Sequence, residues 1–457
     1  MFKNADIHYQ AAARVRGSTL CSYLIGLAAV RRGLDVSYET YLGDTAKAFF
    51  RSRPDLTGAY LKIGDGRHTL FFDRSRGEKS MAVTNNAAVS KSHAKKLFQH
   101  KGISTPAGRE FSRKSVAAAQ KFFAGFAQAK FIMKPVDGSL GRGVILGLSL
   151  EEVIKNLETK DVPWIVEEMI SGPEYRVYVV DNTAVASFER VAPHVVGDGK
   201  RTIQQLIDAR NQSWAGTPYN AAPAIIDTRD AATLLSKMGR SLAEKPRYLE
   251  SVALDARKFA HGRDIKDVTD TIPAEVTKEA VRALQAIGLP NGGVDVLFDE
   301  DRKCPYVLEV NPRAYIGGHT FPTIGLGQGL AVPNAILDYY FPTSKANKRH
   351  NNFALDFGAI QTALASCAIE RISPLVPKDE WILRHVPLNC SCDQAQRVVD
   401  MLRLVTIHVN WWRRTDGDNR IDAYFLKPGL EGFHKTVKGS KTAVVTREVD
   451  QLICGAP

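Results

Sequence analysis

Asp295, Glu309 and Asn311 combine side-chain type and spacing in a way that points to metal chemistry. They lie in the stretch Gly293 to Thr320. There V-D-V-L-F-D and V-L-E-V-N-P-R are apolar runs carrying carboxylates, separated by the turn Asp299-Glu300-Asp301. This pattern predicts a β-hairpin. Side chains two apart on a strand share a face, so Glu309 and Asn311 point the same way. The hairpin can bring Asp295 beside them. Three hard oxygen ligands on one face suit Mg²⁺, which usually takes one or two carboxylates together with nucleotide phosphates. The same pattern also describes an ordinary hairpin with solvated acids.

Other elements must bring a partner to that face. Phe131 to Pro135 reads as a short apolar strand carrying Lys134. Asp137-Gly138-Ser139-Leu140-Gly141-Arg142-Gly143 follows, then a second strand from Val144 to Leu148. Glycines in such a loop let backbone N–H groups approach phosphate oxygens, although hairpin turns use glycine anyway. No G-K-[ST] occurs, so this is no P-loop. Lys91 and Lys95 lie in a helix that opens at Ser90, a plausible N-cap, and ends near Gly102. Trp164 to Ile170 is a strand leading into S-G-P-E-Y-R-V-Y-V-V, with an apolar slot and a few fixed acids of the kind a purine site needs. Gly197-Asp198-Gly199 reads as a turn, and Thr202 as the cap of the next helix.

The spelling of these stretches resembles the ATP-grasp superfamily of carboxylate–amine ligases. D-V-L-F-D with L-E-V-N-P-R is similar to its metal strands. K-I-G-D-G-R-H-T-L-F-F and R-V-A-P-H-V-V-G-D-G-K-R-T-I are similar to the ATP-grasp parts of cyanophycin synthetase and bifunctional glutathione synthetase. The resemblance covers roughly residues 60–340. It implies that Asp295, Glu309 and Asn311 hold two Mg²⁺ ions, with Mn²⁺ as an alternative. It implies that Lys91 and Lys134 contact phosphates, with Lys95 competing for the role of Lys91. Gly138, Ser139, Gly141 and Gly143 would cover the phosphates. Glu167, Met169 and Ile170 would surround adenine, and Glu174 would take the ribose hydroxyls.

For the chemistry, the resemblance implies ATP-dependent amide formation through an acyl phosphate. Arg190 lies where the family offers a cation to the reacting carboxylate; a structural ion-pair partner is the alternative. D-alanine ligases place an arginine where this chain has Gly293. Arg313, two residues past Asn311, is the expected substitute, provided the strand continues. His319 is a candidate for amine deprotonation or a structural histidine. The rival readings are an ATP-binding regulatory or partner protein without catalysis, and a ligase acting on a macromolecular acceptor. The P-loop half of cyanophycin synthetase has no counterpart in these residues.

Bulk properties agree with an enzyme of anionic ligands. With 457 residues the chain should hold two to four domains, and 44 % hydrophobic content suffices for real cores. The net charge of +12 suits nucleotides and carboxylates. Six cysteines form no disulfide framework and no zinc spacing, so a reducing, cytoplasmic setting is expected. No run reaches membrane-spanning length. Small carboxylate and amine substrates are the expected partners, with neither nucleic acid nor membrane; a homo-oligomer is compatible.

The expected fold is α/β (α+β) in four segments. Residues 1–88 would form a small Rossmann-like α/β domain before the ATP-grasp fold. Residues 89–163 would be the ATP-grasp subdomain with the phosphate loop, and 164–342 the subdomain with hinge and metal site. Residues 343–457 would add a mixed α/β extension, with a helix over Asp393 to Leu402 and a hairpin through I-H-V-N-W-W-R-R and R-I-D-A-Y-F-L.

Overall fold

The structure, a computed structural model, describes residues 15, 17, 19–39, 56–80, 91–126, 129–136, 143–159, 162–214, 225–255, 263–346, 355, 357–365, 371–374, 381–388, 408–413 and 419–426. The chain divides into two compact units. One is built on Ser75–Tyr340; the other combines Ala5–Arg74 with Phe341–Pro457.

Two antiparallel sheets frame the first unit. The smaller runs β1 (Gly108–Phe111), β4 (Trp164–Glu168), β2 (Phe131–Pro135), β3 (Ile145–Leu148). Helices α2 (Val116–Phe123) and α3 (Leu150–Thr159) supply its core with Ala119, Phe123, Val153, Ile154 and Leu157. Ser149 and Glu152 form a capping box at the start of α3, each side chain accepting the other's backbone N–H, at 3.2 and 2.7 Å.

The larger sheet runs β9 (Asp264–Asp267), β6 (Thr183–Val191), β5 (Glu174–Val180), β10 (Asn291–Asp299), β11 (Cys304–Asn311). Strand alternation divides its two faces. Val177, Val179, Val294, Val296, Val307 and Val310 turn to α6 (Ala274–Ile287), which buries Val276, Ala280, Ala283, Leu284 and Ile287. Each fully buried valine or leucine stabilises by about 1.5–3 kcal/mol. Gly288, at φ 79, ends α6 in the left-handed conformation that closes many helices.

Helix α1 (Lys91–His100) shares this core through Ala94 and Phe98. Glu279 of α6 accepts from the Ser104 N–H at 2.8 Å, and Arg282 donates to the Gly102 carbonyl at 3.0 Å. These bonds tie the end of α1 to α6. A satellite core gathers β7 (His194–Val196), β8 (Ser251–Ala253), α4 (Ile203–Trp214) and α5 (Thr228–Lys237). The expected turn and cap appear there. Asp198 accepts from the N–H groups of Lys200 and Arg201, and Thr202 and Gln205 form a capping box.

In the second unit, helix Thr19–Arg31 is buried along its length. Gly26 lets it lie on Tyr38, since a Cβ there would stand 1.9 Å from the phenol oxygen. Strand Asp35–Glu39 pairs with Tyr60–Gly64 and with Arg371–Ile372, and Tyr60–Gly64 pairs with Thr69–Asp73; all three pairings are antiparallel. Among the described residues these pairings differ from the parallel ones that the expected Rossmann-like domain would have. The tight turn around Gly64-Asp65-Gly66 folds neighbouring strands back, whereas a parallel sheet needs long crossovers. Residues 343–457, expected as a separate extension, group with the N-terminal segment. The expected tail hairpin is found as His408–Arg413 against Asn419–Leu426, with Trp381–Leu388 added on the other side. The helix expected over 393–402 lies outside the described residues. Among the described residues no helix is long and apolar enough to cross a membrane.

Candidate active site

The face of the larger sheet turned away from α6 carries the charges. Pairing sets Asp295 opposite Glu309, and Gly293 opposite Asn311. On the other side β5 sets Arg176 opposite Asp295, and β6 sets Arg190 opposite Glu174. The result is a ladder of opposite charges across four strands. Asp295 Oδ1 accepts from Arg176 Nε, and Oδ2 from Arg176 Nη2 at 2.6 Å. Arg190 reaches both oxygens with Nη2 at 3.2 Å and gives Nη1 to Glu174. Burial would raise the Asp295 pKa, but the Arg176 and Arg190 guanidinium groups outweigh it and hold it at about 2. Burial alone would lower the Arg190 pKa; Asp295 and Glu174 raise it instead.

A second cluster sits on the smaller sheet. Glu167, near the end of β4, accepts from Lys95 of α1 and Lys134 of β2. Lys95 also donates to the Pro106 carbonyl at 2.6 Å. Burial would raise the Glu167 pKa, yet the two ammonium groups bring it down to about 2. Such buried triads stand only because each charge is paired. Lys95, the alternative to Lys91, is thus the α1 lysine that reaches Glu167; Lys91 lies half-buried in the first turn.

The remaining expected residues fall as follows. Met169 is 36 % exposed, and its N–H is taken by the Lys130 carbonyl at 2.7 Å. Ile170 is buried. Gly143, at φ 75, could not carry a Cβ, which would meet Pro135 Cγ at 2.9 Å. Gly138, Ser139 and Gly141 lie outside the described residues. Arg313 requires a correction. Strand β11 stops at Asn311, so the alternation that was to aim Arg313 at the acids ends, and it stands exposed in the following turn. His319 is buried between Tyr178 and Phe188 with neither ring nitrogen hydrogen-bonded. Burial, then Arg176 and Arg190, lower its pKa to about 3 and keep it neutral.

Sequence reading missed Arg176. The signal was present: in E-Y-R-V-Y-V-V, alternation sets Glu174, Arg176 and Tyr178 on one face, and an arginine inside an apolar strand needs a buried partner.

The donor set can be tested against a hard divalent cation. Among the described residues no group of three His, Cys, Asp or Glu side chains is arranged to hold a metal. Two carboxylates and an amide are present instead, which suits Mg²⁺ bound largely through phosphates and water. Glu309 is 37 % exposed and accepts from Asn311 Nδ2 at 2.8 Å, so this pair fits. Asp295 is saturated as it stands, because a carboxylate has about four lone-pair positions and the arginine N–H groups meet both oxygens twice.

No family model matches the chain. The bifunctional glutathione biosynthesis protein GshAB of Enterococcus faecalis is 29 % identical over 290 residues, covering 60 % of this chain and 38 % of that protein. Cyanophycin synthetase of Synechocystis sp. is 28 % identical over 305 residues, covering 64 % and 34 %. This chain is similar to both enzymes over about three fifths of its length. A solved bifunctional glutathione synthetase from Pasteurella multocida shares the fold, with TM-score 0.52 and 21 % identity, over 73 % of this chain and 44 % of that one. The chain thus spans between a third and two fifths of the length of the curated relatives it matches.

Proposed function

We propose that this chain is an ATP-dependent carboxylate–amine ligase working through an acyl phosphate. The observation that carries the reading is the charged sheet face: buried Arg176 and partly buried Arg190 beside the half-exposed Glu309–Asn311 pair. A carboxylate oxygen of the first substrate attacks the γ-phosphorus of ATP. The bond to the β–γ bridging oxygen breaks, and its electron pair leaves with ADP. The amine nitrogen then attacks the acyl carbon, the carbon–oxygen bond to phosphate breaks, and one amine proton passes to solvent. The products are an amide, ADP and phosphate.

Positioning and charge neutralisation do most of the work in phosphoryl transfer. In this reading Lys134 and Lys95, with Lys91 and the backbone from Gly138 through Ser139 and Gly141 to Gly143, hold phosphate oxygens. Glu167 orients both lysines and, with Met169 and Ile170, borders adenine. Glu174 takes the ribose. Glu309, Asn311 and Asp295 would hold Mg²⁺ or Mn²⁺, which supplies charge neutralisation on the phosphates when bound. Arg190 stabilises charge on the acyl phosphate, and Arg313 is a rim cation for the incoming acid. The test is incubation with ATP, Mg²⁺ and amino-acid and peptide mixtures, read by phosphate release and by mass spectrometry of new amides. ATP binding without phosphate release in any mixture would overturn it.

A further inference from the structure

Two arginines share one aspartate, and they hold it differently. Arg176 forks onto Asp295 with two nitrogens, one on each oxygen, whereas Arg190 touches it with a single nitrogen at 3.2 Å from both. Arg190 has a second anchor in Glu174. The Arg176 side chain also runs over a glycine. A Cβ on Gly293 would stand 3.0 Å from Arg176 Cδ and 2.5 Å from Ala314 Cβ. The bare strand surface at Gly293 is what lets a guanidinium from the neighbouring strand lie there.

We propose that Arg176, laid across Gly293, is the fixed counter-charge of Asp295, and that Arg190 is the exchangeable one. Resting on the ligase reading, this makes Arg176 a positioning residue. It keeps Asp295 aimed when Arg190 turns to the substrate's oxygens. A bidentate fork is geometrically locked, and a single-nitrogen contact to two oxygens is not. Without Arg176, Arg190 would be the only cation on a buried carboxylate and could not leave it without stranding a charge. Arg190 withdrawal also frees the lone pairs that a cation at Asp295 needs.

The test is a double-mutant cycle of Arg176→Lys and Arg190→Lys, read by urea unfolding and by phosphate release. Arg190→Lys should leave the unfolding midpoint near wild type, because Asp295 keeps its fork. Arg176→Lys should lower the midpoint and cut turnover about 10²-fold. In turnover the double variant should be no worse than Arg190→Lys alone, since Arg176 acts through Arg190. Gly293→Ala in an Ala314→Gly background should copy Arg176→Lys with every charge retained, and it serves if Arg176→Lys fails to fold. Equal midpoint losses for the two arginines, multiplicative turnover losses, or a silent Gly293→Ala would overturn the proposal. If no mixture gave turnover the ligase reading would fall, while the unfolding midpoints would still decide which arginine is fixed.

Discussion

Asp295 and Glu309 face each other across the β10–β11 hairpin, yet Asp295 is buried under two guanidinium groups and Glu309 is half-exposed beside Asn311. Equal chemistry in unequal surroundings predicts unequal phenotypes. Asp295→Asn takes the carboxylate fork from buried Arg176 and should cost about 3–5 kcal/mol in urea unfolding. Glu309→Gln should unfold like wild type while ATP turnover falls by orders of magnitude. Near-normal turnover in Glu309→Gln would remove Glu309 from the metal site.

Glu174 holds Arg190 and follows the Ser171-Gly172-Pro173 turn. As the ribose acid it would make charged hydrogen bonds, worth about 1.5–3 kcal/mol. Glu174→Ala should weaken ATP binding by about one to two decades in calorimetry. Unchanged affinity would place the ribose elsewhere.

Glu167 has a folded pKa of about 2 against an ordinary 4.5. A depressed carboxylate stabilises fully above the ordinary value, and that stabilisation is lost as pH falls toward the folded one. The contribution is about 3 kcal/mol. Glu167→Gln should remove the corresponding slope from urea-unfolding free energy between pH 4.5 and 2. A slope identical to wild type would mean that Lys95 and Lys134 do not hold this group in solution.

His319 is held neutral, with its pKa moved from 6.5 to about 3. The unfolded chain therefore binds the proton first. Stability should drop as pH falls from 6.5 toward 3, and His319→Phe should abolish that drop while keeping the ring contacts with Tyr178 and Phe188. The check is unfolding free energy at pH 7 and 5. Equal pH slopes in the two proteins would contradict the burial of a neutral ring.

Arg190 and Arg313 should separate in turnover. Arg190 is partly buried among carboxylates, and Arg313 is exposed beyond the strand end. Arg190→Ala should lower phosphate release about 10²-fold, the scale of one lost oxyanion donor. Arg313→Lys keeps the rim charge and should cost less than about tenfold. The reverse order would return Arg313 to the reacting centre.

The β10–β11 hairpin and the places of both strand-borne acids and Asn311 on it were legible in the residues alone, because period-two alternation and a polar turn are local signals. So were the Thr202 cap, the Gly197–Gly199 turn and the lysine helix. Which cation meets which acid was not. Lys91 and Lys95 are four apart and share a helix face; only the packing of α1 decides that Lys95 goes inward to Glu167. The Arg313 expectation failed for a related reason, since alternation holds only while the strand lasts and β11 ends at Asn311.

The sequence by itself determined the local geometry: which side chains share a face, and where helices begin and chains turn. The tertiary structure decided the charge pairing. Arg176 and Asp295 are 119 residues apart, and their meeting depends on the register of β5 against β10. A shift of one residue in that register would turn every side chain to the other face, so the choice rests on burying the valines of both strands against α6. Gly293 shows the same division. Its identity is plain in the sequence, but the atoms that crowd it, Ala314 Cβ and Arg176 Cδ, are brought there only by the fold.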